Sequence, residues 1–102
     1  MIRGTTPTIS VTVKGLSDIQ IAEAYFTLKQ AGTVVEKQLP DLKISGDVLQ
    51  TTLTQEETLR FITGRSVDMQ LRVLSKGSTA YASNIVSVPI GRILKDGVIG
   101  DG

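Results

Sequence analysis

The chain contains no cysteine, no histidine and no tryptophan. Without cysteine it cannot form disulfides, thiolate metal sites or a cysteine nucleophile. Without histidine it lacks the usual general base near neutral pH and the commonest metal ligand. Its 11 basic and 10 acidic residues leave a net charge of +1, which gives no long-range field for attracting nucleic acid or an anionic membrane. These absences exclude most enzyme and metalloprotein classes.

Several further signals are missing. No apolar run approaches the roughly 20 residues of a membrane span, and residues 1–7 have no apolar core, so we expect neither a membrane segment nor a signal peptide. No phosphate-cradling loop and no serine-hydrolase motif occurs. We therefore expect a protein made in a cytoplasm that is not an enzyme and has no cofactor, metal or small-molecule substrate.

The acidic pairs have simpler explanations than chemistry. Glu56 and Glu57 are neighbours on a predicted helix, so their side chains point about 100° apart and cannot share a substrate. Asp41 and Asp47 flank a short hairpin and could in principle hold calcium, but their spacing is not that of an EF-hand and turn chemistry accounts for both. Basic residues near an aromatic, which nucleic-acid binding would need, are sparse. They are Arg60, Arg65, Arg72, Lys76 and Lys29 beside Tyr25.

What the chain does have is the composition of a β-protein. It contains 12 Thr, 10 Val and 10 Ile among 102 residues, and these stiff, β-branched side chains favour strands. Apolar and polar residues alternate in short segments separated by Gly and Pro turns. The pattern predicts seven strands, at residues 8–14, 21–30, 33–39, 42–44, 48–53, 66–75 and 79–90.

The strand at residues 66–75 has the clearest pattern, with Val67, Met69, Leu71 and Val73 on the inward face. In the strand at residues 21–30 we expect Ala24, Phe26 and Leu28 to face inward. In the last strand we expect a kink at Asn84, after which Val86, Val88 and Ile90 face inward. Pro89 cannot donate a ladder hydrogen bond, so that part of the strand should lie at an edge or at the end of the strand.

One helix is predicted, between the fifth and sixth strands. Thr54 and Glu57 have the spacing of a capping box, which starts a helix at about residues 55–61. Because the apolar runs alternate, each sheet should have one solvated face and antiparallel pairing. We predict an all-β, immunoglobulin-like antiparallel sandwich of about seven strands, with a small open barrel as the competing arrangement.

The chain reads as one domain with two terminal arms. Residues 1–90 should form the sandwich, with an N-terminal arm at 1–7 and a C-terminal arm at 91–102. The C-terminal arm carries Ile93, Leu94, Val98 and Ile99 on a glycine-rich segment too short to build its own core. It is either a frayed terminus or an arm that buries these side chains on another subunit or partner.

Stretches along the whole chain resemble a group of small proteins that tailed bacteriophages and prophages encode, generally among structural genes. The residues that carry the resemblance are MIRGTTP (1–7), YFTLKQ (25–30), TLTQEETL (52–59), QLRVL (70–74), SNIVSV (83–88) and ILKDGVI (93–99). None of these motifs is mechanistic. The resemblance implies a virion-associated structural or accessory protein that binds other phage structural proteins or further copies of itself. The alternative is a small non-structural protein that binds a host factor or nucleic acid.

Overall fold

A computed structural model describes residues 1–100 and contains eight strands and one α-helix. In chain order they are β1 Thr8–Thr12, β2 Ile21–Gln30, β3 Thr33–Gln38, β4 Lys43–Ser45, β5 Val48–Thr52, α1 Gln55–Leu59, β6 Val67–Ser75, β7 Ala80–Ala82 and β8 Val86–Val88. Short 3₁₀ turns at Leu16–Asp18 and Leu39–Asp41 connect β1 to β2 and β3 to β4. The last two residues of the predicted C-terminal arm, 101 and 102, lie outside the described residues.

The strands form two antiparallel sheets. The small sheet has the order β1-β5-β4; in the large sheet β3, β2 and β6 lie side by side, and β7 and β8 follow one another along the far side of β6. Within residues 1–100 no ladder joins the two sheets, so the fold is a sandwich and the open-barrel alternative is wrong. In the strand nomenclature of immunoglobulin domains, the small sheet has the order B-E-D and the large sheet has the order C′-C-F-G. Strand A, which lies beside strand B in those domains, has no equivalent next to β1 within residues 1–100.

The core lies between the sheets, where the predicted alternation places it. Leu71 of β6 is 1% exposed and lies opposite Phe26 of β2, also 1% exposed. The inward residues predicted for these two strands are all buried: Ala24, Phe26, Leu28, Val67, Met69, Leu71 and Val73. The predicted register of both central strands is therefore confirmed.

The capping box is confirmed, but the helix is shorter than the predicted 55–61. The Thr54 hydroxyl accepts from the Glu57 amide, and the Glu57 carboxylate accepts from the Thr54 amide. The helix ends at Leu59, because the amides that follow bond three residues back, Arg60 to Glu57 and Phe61 to Thr58, and such bonds tighten the chain into a turn. This turn buries Phe61 completely.

The last predicted strand, 79–90, is two strands. The hydroxyl of Ser83 accepts the hydrogen bond of the Leu71 amide at 2.9 Å, so a side chain takes the place of the backbone carbonyl that a continuous ladder would supply. The chain leaves the sheet between β7 and β8 and pairs again with β6 at Val86. The predicted kink at Asn84 lies in this break, which raises the number of strands from seven to eight.

Candidate interaction surfaces

The N-terminal arm lies beside the start of the C-terminal arm. Ile2 and Gly91 form a parallel bridge, in which the Gly91 amide donates to the Met1 carbonyl and the Arg3 amide donates to the Gly91 carbonyl. The terminal ammonium of Met1 also donates to the Pro89 carbonyl at 2.8 Å. The beginning of the C-terminal arm is thus tied to the N-terminal arm by backbone hydrogen bonds.

Arg3 connects the N-terminal arm to the end of the helix by hydrogen bonds. Its guanidinium donates to the carbonyl oxygens of Phe61 at 2.6 Å and Leu59 at 3.0 Å. The Leu59 carbonyl is among those that the last turn of a helix leaves without an intrahelical partner, and Phe61 lies in the turn that follows the helix. An exposed ion pair with Asp96, at 3.5 Å, reaches from the same guanidinium to the C-terminal arm.

The four apolar residues that the sequence assigned to partner binding do not form one cluster. Ile93 is half-buried, and its Cδ1 lies 3.0 Å from where a side chain on Gly4 would begin, so it packs on the N-terminal arm. Leu94 is 94% exposed, and Val98 and Ile99 are 40% and 56% exposed. The backbone of Ile99 is held by two hydrogen bonds with the Gln55 side chain. Residues 91–100 of the arm therefore lie along the domain, with three aliphatic side chains in solvent.

A second apolar surface, which the sequence analysis did not identify, runs along one side of the sandwich. We call it the open seam: the gap between β1 and the β7–β8 edge, where the two sheets are not joined. Its widest part is a groove of about 470 Å³, and its narrower end continues to Leu16 and Tyr81. The groove is lined by Met1, Pro7, Ile9, Ser10, Val11, Thr12, Met69, Val86 and Val88.

Val86 shows why the seam is open. It pairs with Met69 across the ladder, and side chains directly opposite one another point to the same face of a sheet. Met69 is buried, so Val86 has the predicted inward direction, yet it is 46% exposed. The inward direction predicted for Val86 is therefore confirmed, but the side chain is not covered like a core residue, because no strand within residues 1–100 lies on the free side of β1 to close the sandwich above it.

The backbone of β1 is free along the seam. The Val13 amide donates to Asp47, and the Leu53 amide donates to Pro7, so odd-numbered residues of this strand bond to β5. Antiparallel pairing alternates, which turns the amides and carbonyls of Thr8, Ser10 and Thr12 away from β5. Within residues 1–100 these groups meet no other strand. The seam thus combines an unpaired strand edge with an apolar groove.

A nearly buried ion pair holds edge strand β3 to the capping box. The ammonium of Lys37 donates to the Glu57 carboxylate at 2.8 Å, and the two side chains are 10% and 16% exposed. Partial burial opposes ionisation of Glu57, but hydrogen bonds from Lys37 and Thr54 outweigh it, so the pKa of Glu57 is lowered. These charges are satisfied within the fold and serve its structure.

Two other candidates, Asp47 and Tyr25, also have local hydrogen-bond partners. The Asp47 carboxylate accepts from the Ser17 amide at 2.8 Å, and this hydrogen bond lowers its pKa. Across residues 1–100 no three acidic side chains gather into a possible metal site. On the outer face of the large sheet, Tyr25 lies opposite Arg72 and donates to Glu23, which raises the pKa of the phenol.

The part of the chain that the structure describes contains no helix long and apolar enough to span a membrane. Comparison with known proteins adds no relative: no protein-family model, curated protein or solved structure matches this chain.

Proposed function

We propose that this chain is a structural or accessory protein of a tailed-phage particle and acts as a protein–protein binding module without chemistry of its own. The observation that carries the proposal is the open seam, which joins the unpaired edge of β1 to an apolar groove. A strand added at such an edge gains main-chain hydrogen bonds for affinity and side-chain pockets for specificity. The resemblance of the sequence to small phage-encoded proteins is the reason for proposing a phage particle as the place where the chain binds.

The C-terminal arm supports the same proposal from a different surface. Leu94 is 94% exposed, and Ile99 is 56% exposed, on a segment whose backbone is anchored to Gln55. An anchored backbone lowers the entropy lost when a partner covers these side chains. In a ring or tube the same small gain recurs at every subunit, and multivalency makes it large.

The experiment is mass spectrometry of density-banded particles from the phage that encodes the chain. We expect the protein to band with the particles in a fixed ratio to a major structural protein, through a second gradient at raised salt. A phage non-structural protein of similar size serves as the carry-over control. Finding the chain only in the lysate, at the level of that control, contradicts the proposal and supports the non-structural alternative, a protein that binds a host factor or nucleic acid.

A further inference from the structure

We propose that the open seam is the interface of a symmetric dimer, in which β1 pairs antiparallel with β1 of a second copy around a twofold axis at Ser10. The small sheets of the two copies then join into one six-stranded sheet. The inference rests on the proposed function in naming what the binding surface binds, and it is argued from the edge, the register and the charges of β1.

The edge of β1 lacks the features that keep edge strands apart. Natural edges carry charged residues, prolines or bulges, or are very short. Edge strand β3 has Glu36 and Lys37, and edge strand β4 is three residues long and begins with Lys43. By contrast, β1 is five residues of Thr, Ile, Ser and Val with a regular ladder to β5. An edge strand without such protection presents unpaired amides and carbonyls, which a strand of another chain can pair with.

The register makes β1 complementary to itself. The backbone groups of Thr8, Ser10 and Thr12 point out of the sheet edge, and Ser10 is the middle of the strand. A twofold axis at Ser10 places Ser10 opposite the partner's Ser10, and each Thr8 opposite the partner's Thr12. The free amides and carbonyls of these three residues can then hydrogen bond to those of the second copy. The same patch then serves on both sides, as an isologous interface requires.

The side chains and charges suit the same arrangement. Opposed Ser and Thr side chains on the outer face can hydrogen bond across the strands. On the inner face Ile9 lies next to the partner's Val11, and the two open grooves face each other across the axis. Lys14, the first charge after the strand, comes opposite the partner's Thr6 and not its Lys14. No like charges are brought together, and both grooves are covered by one contact.

The test compares dimerisation of two variants: one places a lysine at the twofold axis, and the other places a lysine on the neighbouring strand. Ser10→Lys sets two lysines against each other across the twofold, and like charges directly opposite destabilise a strand pair. Gln50→Lys is the matched control, because Gln50 is Ser10's partner on β5 and is exposed on the same face. Either change removes the one hydrogen bond between these side chains. The control charges are about 10 Å further apart, one strand spacing on each side.

Sedimentation equilibrium of the full chain over a concentration series is the readout, with circular dichroism and the melting temperature as checks on folding. We expect a reversible dimer for the natural chain and for Gln50→Lys. For Ser10→Lys we expect a dissociation constant raised on the order of tenfold. A mixture of Ser10→Lys with Ser10→Asp should regain the dimer, since opposite charges then meet at the axis.

Three results overturn the dimer: a natural chain that stays monomeric at millimolar concentration, equal loss from the Ser10 and Gln50 variants, or no recovery in the charge-swapped mixture. A monomeric chain that nevertheless bands with purified particles would refute the dimer and leave the proposed function standing. A dimer present only in lysate, and not in particles, would support the dimer and refute the proposed function.

Discussion

Arg3 and Phe61, 58 positions apart in the chain, are joined by a 2.6 Å hydrogen bond from the Arg3 Nε to the Phe61 carbonyl. Phe61 closes one end of the core with a fully buried ring, so the N-terminal arm is fastened at the point where the core ends. The C-terminal arm reaches the same place through Gly91 and Ile93. Both arms thus pack on the domain at this end of the core, and only some of their side chains are exposed to solvent.

Removing this fastening should destabilise the domain. Arg3→Ala loses two hydrogen bonds from a charged donor to partly buried carbonyls, and we expect about 2 kcal/mol less unfolding free energy. Arg3→Lys should recover little, because an ammonium cannot donate to both carbonyls as the guanidinium fork does. Urea unfolding measures both. The exposed Arg92→Ala is the control, and its unfolding free energy should stay within about 0.5 kcal/mol of that of the natural chain. A similar loss in both variants would show that the effect of Arg3→Ala does not come from these two hydrogen bonds.

The core register can be tested at two adjacent positions of β6. Leu71→Ala should cost roughly 2–5 kcal/mol through lost burial and a cavity. Arg72→Ala, on the exposed face of the same strand, should cost well under 1 kcal/mol. Thermal unfolding of the two variants is the measurement, and equal losses would place the strand in another register.

The C-terminal arm offers a matched pair of adjacent aliphatic residues. Ile93→Ser should lower the melting temperature, because Ile93 is half-buried and packs against Gly4. Leu94→Ser should leave stability unchanged, since this side chain is 94% exposed, and should weaken attachment to particles that lack the protein. Calorimetry and a particle-binding assay separate the two effects. Unimpaired attachment of Leu94→Ser would remove Leu94 from the binding surface.

Glu57 predicts how stability falls in acid. Its folded pKa lies below the ordinary value of 4.5, so its contribution is present above pH 4.5 and is lost as the pH falls through the folded pKa. Glu57→Gln should cost about 1–3 kcal/mol at pH 7, because it leaves the nearly buried Lys37 ammonium without its counter-charge. The variant should also lose less unfolding free energy than the natural chain as the pH falls. The exposed Glu56→Gln, measured over the same pH range, should keep the natural profile. Identical profiles for both variants would contradict this assignment.

The sequence predicted the parts of the fold that local pattern determines. Alternation is a local property, so the burial of Leu71 and the position of each hairpin could be predicted, and the Thr54–Glu57 spacing located the helix. The split at Ser83 could not, because it depends on the Ser83 hydroxyl accepting from the Leu71 amide of β6, 12 positions away in the chain. The packing of Ile93 on Gly4 could not be predicted either, because it depends on two segments far apart in the sequence coming together.

The seam was missed for a related reason. The uncharged run at residues 8–13 is visible in the sequence, and it is the signal that could have marked β1 as a bare edge. Alternation shows that Val86 faces inward, but it does not show whether another strand covers that side. Only the pairing order, with β1 at the edge of its sheet, reveals that nothing within residues 1–100 does so.

The most direct test of the open seam as the interface between two copies of the chain is residue-resolved amide hydrogen exchange of the full chain at low and high concentration. The amides of Ser10 and Thr12 face the seam, and those of Ile9 and Val11 already bond to β5, so the strand contains its own control. We predict protection of Ser10 and Thr12 that grows with concentration, while Ile9 and Val11 stay protected throughout. Fast exchange of Ser10 and Thr12 at every concentration would contradict the account.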